Sequence, residues 1–339
     1  MLVNVLSNIR CLRGGDELSN STTKRFTNKQ TSLKRWLLKP TLEEKDKRYG
    51  YLLILPALLI VGGLYLYPAL LTILFSFTNV DKRSFAITEF VGVSHYLNLL
   101  TSSNFWLIIG RTLYFALMIV ILTLLISFGI ALLLNQKFWG RSILRVVVLL
   151  PWAVPPVVAG VMWGQIFHAE AGTLNALLNK LGLISSNVIW LGNDILALHV
   201  IILAEVWRAI PLMTLFILAG LQNISPSLYE AAAVDGANRW EQFKHILVPL
   251  MLPILIPLIL LQFSFAMKSF DTIFVLTRGT QGTSTLNYFV YKETFEHLDF
   301  GVGSASAYIL FAIALLVILA ILLVQRKLLK GGLVENEQK

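Results

Sequence analysis

Residues 112–134 read TLYFALMIVILTLLISFGIALLL, an uncharged run that opens just after Arg111. A helix rises about 1.5 Å per residue, so roughly 20 apolar residues cross a hydrocarbon layer about 30 Å thick. Working outward, five more tracts meet the same test: Tyr51–Phe77, Ser142–Phe167, Leu196–Leu221, Leu250–Thr277 and Phe300–Val324. Composition agrees, with 56% hydrophobic and 14% charged residues, where an ordinary soluble domain carries about 25% charged. The six tracts predict an all-α polytopic membrane protein with six transmembrane helices.

The spans are not uniform. Pro56 and Pro68 lie in the first and are candidates for a kink, and Pro151, Pro155 and Pro156 break the third, where the break must face protein or water. The fourth carries Glu205 and Arg208, three apart on one helix face and so able to pair; an isolated charge at mid-bilayer costs about 2.5–3.5 kcal/mol on insertion scales. Lys268 and Asp271 repeat that spacing in the fifth span, as an ion pair or as charges snorkelling to the outer interface. The sixth opens on Gly301-Val302-Gly303-Ser304-Ala305-Ser306-Ala307, a run that lets helix backbones approach closely.

Charge placement gives orientation. Of the 28 Lys and Arg, eleven lie in residues 1–50. With the N-terminus inside, the cytoplasmic side also collects Lys137, Arg141, Arg145, Arg239, Lys244, Arg326, Lys327 and Lys330. The outer loops hold Lys82, Arg83, Arg111, Lys180, Arg278 and Lys292. Positive-inside therefore predicts N-in and C-in. The net charge of +9 is thus an orientation signal and not a nucleic-acid footprint. Residues 1–48 read as a basic, mostly disordered cytoplasmic tail with an interfacial turn around Leu33–Leu38, and their opening is too polar for a signal peptide. Residues 49–330 form the transmembrane domain and 331–339 a short cytoplasmic tail. The single cysteine, Cys11, excludes an intramolecular disulfide.

Between the fourth and fifth spans lies an unusually ordered polar segment, Glu230-Ala231-Ala232-Ala233-Val234-Asp235-Gly236, followed ten residues on by Ile246-Leu247-Val248-Pro249. Ser225-Pro226 starts a helix and Gly236 stops it. Asn238 with Glu241 offers a capping box for a second short helix, whose Trp240, Phe243 and Leu247 share a face. Two capped helices at a membrane face, one Ala-rich and open to close approach, read as a docking element; the bland alternative is a helix pair resting on lipid headgroups. The charge count puts this loop in the cytoplasm.

No catalytic constellation is visible, no His/Cys/Asp/Glu group has metal-ligand spacing, and no Gly-x-x-x-x-Gly-Lys-Ser/Thr phosphate loop occurs. A conduit without its own energy source needs an external one.

Glu-Ala-Ala-x-x-x-Gly followed by Ile-x-x-Pro resembles the cytoplasmic loop of permease subunits of binding-protein-dependent ABC importers. Val206-Trp207-Arg208-Ala209-Ile210-Pro211 with Leu218-Ala219-Gly220-Leu221-Gln222-Asn223-Ile224, Ser269–Thr277, and Leu64–Pro68 with Ser76-Phe77 are similar to the sugar branch (maltose, multiple-sugar and glycerol-phosphate types). The resemblance covers about residues 50–327. It implies that Glu230, Ala231, Ala232, Gly236, Ile246 and Pro249 dock on an ATPase subunit, which carries the ATP and Mg while this chain binds no cofactor. It also implies a second permease subunit in a heterodimer, an ATPase dimer and an extracytoplasmic solute-binding protein, all at a bacterial-type cytoplasmic (inner) membrane. Along the path it suggests Ala209 and Leu212 on the fourth span, and Gln262, Phe265, Lys268 and Ser269 on the fifth, as contacts for a sugar, oligosaccharide or polyol. One departure is Arg278-Gly279-Thr280-Gln281-Gly282, where the branch has a glycine-rich turn ending in Pro. An importer of a phosphorylated polyol, using Lys268 or Arg208 for the anion, is the alternative within transport. An ion-coupled secondary transporter or a membrane enzyme fits less well.

Overall fold

The computed structural model describes residues 42–84 and 86–336. The tail expected over 1–48 therefore falls almost entirely outside the described residues. The chain divides into two compact units, one ending at Leu71 and one beginning at Thr72. The first consists of helix α1 (Leu42–Val61) and a wide π-turn (Gly62–Leu66) leading into α2 (Tyr67–Ser76).

The π-turn has an identifiable cause. Pro68 has no N–H and its ring crowds the carbonyl four residues back, so the preceding turn widens and the Tyr67 N–H reaches the Gly62 carbonyl. The same device recurs before Pro249, where a π-turn over Phe243–Leu247 closes with the Val248 N–H on the Phe243 carbonyl. In both places the turn ends two residues before the proline.

From Thr72 onward a short antiparallel hairpin, β1 (Thr78–Val80) with β2 (Ile87–Phe90), precedes α3 (Ser94–Thr101). The hairpin turn is organised by Asp81, which accepts hydrogen bonds from the Arg83 and Ser84 N–H groups and the Ser84 hydroxyl. Those bonds, chiefly from Ser84, hold its carboxyl below the usual carboxylate range. Then follow α4 (Ser103–Asn135), α5 (Arg141–Ala153), α6 (Pro156–Ile166), α7 (Thr173–Lys180) and α8 (Asp194–Gln222). After these come α9 (Pro226–Val234), α10 (Arg239–Gln242), α11 (Val248–Met267), α12 (Asp271–Leu276), α13 (Leu286–Tyr291) and α14 (Phe300–Asn336).

Among the described residues five helical stretches are long and apolar enough to cross a membrane: Tyr49–Ser76, Ser103–Asn135, Asp194–Gln222, Arg239–Leu276 and Phe300–Arg326. The sixth tract is a bent pair, α5 and α6, turned by 98°. Val154 and Pro155 both take extended backbone there, the conformation forced on a residue that precedes proline. Arg111, read from sequence as an outer-loop charge, sits inside α4, because that helix, capped by Ser102, starts at Ser103, nine residues before the expected start.

The core runs between α4, α8, α11 and α12. Phe115, Ala116, Ile119 and Val120 of α4 pack on Leu198, Ile201, Ile202 and Val206 of α8, with Phe263, Ala266, Met267 and Ile273 closing the cluster. A second cluster joins Ala131 and Leu134 to Met213, Ile217, Leu218, Leu221, Leu247, Met251 and Leu258. Leu125, Phe311, Leu316 and Leu323 remain exposed.

The small-residue opening of α14 is used for close approach. A Cβ on Gly301 would stand 2.5 Å from His95 Nε2 and 2.8 Å from the Thr78 carbonyl oxygen. Ala305 and Ser306 are fully buried. Gly301→Leu should therefore separate α14 from α3 and β1, at an overpacking cost of about 1–3 kcal/mol. A thermal-unfolding midpoint in detergent below that of Phe311→Leu, at an exposed position on the same helix, is the expected result.

Candidate functional site

The polar segment forms a capped helical hairpin. Ser225 caps α9, with its hydroxyl accepting from the Ser227 N–H at 3.4 Å and Pro226 in the first turn. At the other end Gly236 takes φ +85°, its N–H reaches the Ala233 carbonyl, and the Ala237 N–H reaches the Ala232 carbonyl. This paired ending satisfies two carbonyls that would otherwise be free. Asn238 then accepts from the Trp240 and Glu241 N–H groups at 2.9 and 3.0 Å, while Glu241 accepts from the Asn238 N–H at 2.7 Å. Both halves of the capping box are present.

The hairpin is anchored on one side only. Leu247 is buried in the second core cluster, and Phe243 meets Phe128 of α4 edge-on at 6.2 Å. Trp240 stacks on Phe243 at 5.4 Å but is itself exposed. The face expected for Trp240, Phe243 and Leu247 is therefore graded, running from solvent to core. Glu230, Ala231, Ala233, Val234, Asp235 and Gly236 are exposed, Ala232 and Ile246 are partly covered, and Pro249 is exposed. Val234 is 88% exposed, an apolar side chain at the tip of a polar loop with nothing from this chain over it.

Deeper in the bundle, Glu205 is buried and is the hub of a second cluster. Its Oε2 pairs with Arg208 Nη2 at 3.1 Å, as the three-residue spacing implied. Its Oε1 accepts from Ser269 Oγ at 2.9 Å and from Thr272 Oγ1 at 2.5 Å. These two donors were missed in the sequence. The available signal was that a buried carboxylate has more lone pairs than one arginine satisfies, and hydroxyls at 269 and 272 flank the break in the next span. Arg208 Nε has no partner among the described residues.

Ala209 and Leu212 follow Glu205 and Arg208 along the same stripe of α8 and are partly covered. Gln262 is buried, Phe265 and Lys268 are exposed, and Ser269 is held by Glu205. The structure thus brings Ser269 to the α8 stripe, while Lys268 is the exposed cap residue at the end of α11. Lys268 and Asp271 do not share a helix, since α11 stops at Met267 and α12 begins at Asp271. They form no ion pair; the Lys268 carbonyl instead accepts from Asn287 Nδ2 at 2.9 Å.

The departing turn is built from left-handed residues, with Arg278, Gly279, Gln281 and Gly282 at φ +51°, +64°, +50° and +63°. Thr277 and Thr283 hydroxyls bridge its base at 2.6 Å. Among the described residues no three His, Cys, Asp or Glu side chains group as a metal site.

The described residues thus provide several apolar helices of membrane-spanning length, with a capped, exposed hairpin between two of them. Residues 126–330 match the family described as binding-protein-dependent transport system inner membrane component, and the chain belongs to that family. The chain is 38% identical to the trehalose/maltose transport system permease protein MalF of Thermococcus litoralis, over 81% of this chain and 92% of that one. It is 34% identical to the sulfoquinovosyl glycerol transport system permease protein SmoG of Agrobacterium fabrum, over 85% and 93%. The fold is similar to a chain in the crystal structure of a bacterial ABC transporter that imports the acidic polysaccharide alginate, with a TM-score of 0.73 at 21% identity over 84% and 97%.

Three substitutions test the site. Gly236→Ala meets no atom within 4 Å, so its cost of about 1–2 kcal/mol is the left-handed backbone alone. Faster hydrogen exchange at the Gly236 and Ala237 amides, with an unchanged global melting point, is expected. Glu205→Ala should lower the melting point by the equivalent of about 1–3 kcal/mol, because two hydroxyls and a guanidinium lose their acceptor. Glu205→Gln, which can still accept, should fall between it and wild type.

Proposed function

We propose that this chain is one of two permease subunits of an ATP-driven importer for a sugar, oligosaccharide or polyol. The exposed, doubly capped Ser225–Pro249 hairpin carries the reading. It is rigid enough to transmit a push, and it is anchored by Leu247 and Phe243 to the core between α4, α8 and α11. The names of the trehalose/maltose and sulfoquinovosyl glycerol relatives support a glycosidic solute.

By positive-inside counting the hairpin is cytoplasmic, with both termini on that side. A separate ATPase pair, holding ATP and Mg, receives Glu230, Ala231, Ala232 and Gly236 in a surface cleft, with Ile246 and Pro249 setting the exit of the chain. An extracytoplasmic binding protein delivers the solute, which passes between the stripes bearing Ala209, Leu212, Gln262, Phe265, Lys268 and Ser269. ATP binding moves the hairpin and rocks the helices outward-facing; hydrolysis resets them. Energy enters at the hairpin and reaches the path through α8 and α11, which leave it at either end.

Reconstitution with the partner permease, ATPase and binding protein tests this. Solute should stimulate ATP hydrolysis in wild type, and Gly236→Pro should abolish the stimulation. Stimulation that survives this change rules out the docking role. Uptake that persists without ATP but collapses with an ion gradient would instead indicate secondary transport. In a second reading the solute is a phosphorylated polyol, with Lys268 or Arg208 meeting its anion. Competition between neutral and anionic ligands for the binding protein separates the two.

A further inference from the structure

A second cluster of arginines lies away from the path. α4 ends at Asn135 and α5 begins at Arg141, so residues 136–140 form a short connection between two membrane-embedded helices and must lie at a membrane face. Arg141 and Arg145 are one helical turn apart on the same side of α5. With its amide oxygen turned toward them, Gln222 at the end of α8 accepts from Arg141 Nη2 at 3.3 Å and Arg145 Nη2 at 3.2 Å. Two positive charges thus converge on one neutral oxygen.

Among the described residues no carboxylate lies within ion-pair distance of either arginine. The arginine that does have a carboxylate partner among the described residues is Arg208, paired with Glu205. No Asp or Glu occurs in the sequence between Glu89 and Glu170. The Nε of each arginine is buried and without a partner among the described residues. Beside Arg141, one turn from Arg145, lies an open depression of about 420 Å³ lined by residues 137–143. Trp139 is 96% exposed, an indole placed where amphipathic rings anchor at headgroup level. Basic groups, an uncovered indole and an open depression at a membrane face together match an anionic lipid: phosphate to the guanidiniums, glycerol and acyl chain along Trp139 and Ile143.

The geometry points to a binding site for the headgroup phosphate of an anionic phospholipid at Arg141 and Arg145, with Lys137 and Trp139 at its rim. Such a lipid would bridge the start of α5 to the end of α8, next to the segment that leads into the α9 hairpin. The assignment does not depend on which solute is carried or on which side of the membrane the loop lies.

Native mass spectrometry of the full chain, purified in its transporter assembly from nanodiscs of equal phosphatidylglycerol and phosphatidylcholine, reads the site directly. Wild type should retain phosphatidylglycerol over phosphatidylcholine on the order of thirtyfold, since two arginines near an anionic headgroup contribute about 1 kcal/mol each. Arg141→Gln with Arg145→Gln should abolish the preference. If that double variant does not fold, Arg141→Lys with Arg145→Lys should keep part of the preference, and Gln222→Ala should keep it in full. Millimolar inorganic phosphate should not displace the lipid. No preference in wild type, or equal preference in the folded Gln double variant, overturns the proposal. So does displacement by free phosphate, which marks a soluble-anion site. Crosslinking of the pair to a partner-subunit carboxylate, with no lipid retained, also overturns it.

Discussion

The hydrocarbon of a bilayer offers no hydrogen bonds, and that single constraint orders this molecule. Every backbone N–H and C=O within the bilayer must find a partner inside the protein, so the spanning elements are helices and each interruption has to be compensated locally. Before Pro68 and Pro249 the compensation is a π-turn that widens the ladder around the missing donor. Between α5 and α6 it is a sharp bend at Pro155 and Pro156. Between α11 and α12 it is a break at 268–270, where hydroxyls from Ser269 within it and Thr272 just beyond it turn onto Glu205.

The same constraint explains why Glu205 has so many partners. A carboxylate in this setting is tolerated when its lone pairs are filled, and here an arginine, a serine and a threonine do so from two sides. The cluster fixes the level at which α12 meets α8, and with it the relative height of the two stripes assigned to the solute path. A charge that is costly in lipid has become a register mark between two spans.

The hairpin between α8 and α11 obeys the opposite rule. Outside the hydrocarbon, water could satisfy its ends, yet Ser225, Gly236, Asn238 and Glu241 satisfy many of them internally. The result is a stiff, exposed element on a buried stem, suited to carrying force where a flexible connection would absorb it. Pro249 contributes by setting the wide turn through which the stem enters α11.

Much of this was legible in the chain. Span existence followed from uncharged length, and the caps of the hairpin followed from side chains that bond to backbone two or three residues away. The Glu205–Arg208 pair and the close approach at Gly301 followed from helical spacing and from residue size. All of these are short-range consequences of sequence. What the sequence did not determine is long-range. The 98° bend, the placement of Arg111 inside α4, and the separation of Lys268 from Asp271 depend on where packing lets a helix start, stop or turn. The hydroxyls of Ser269 and Thr272 reach Glu205 across more than sixty positions, and Gln222 collects two arginines from a helix some eighty residues earlier. Periodicity reports what one helix can present. Which groups meet is decided only when helices pack, because the pairing energy of a buried polar group exists only once its partner has been brought within reach.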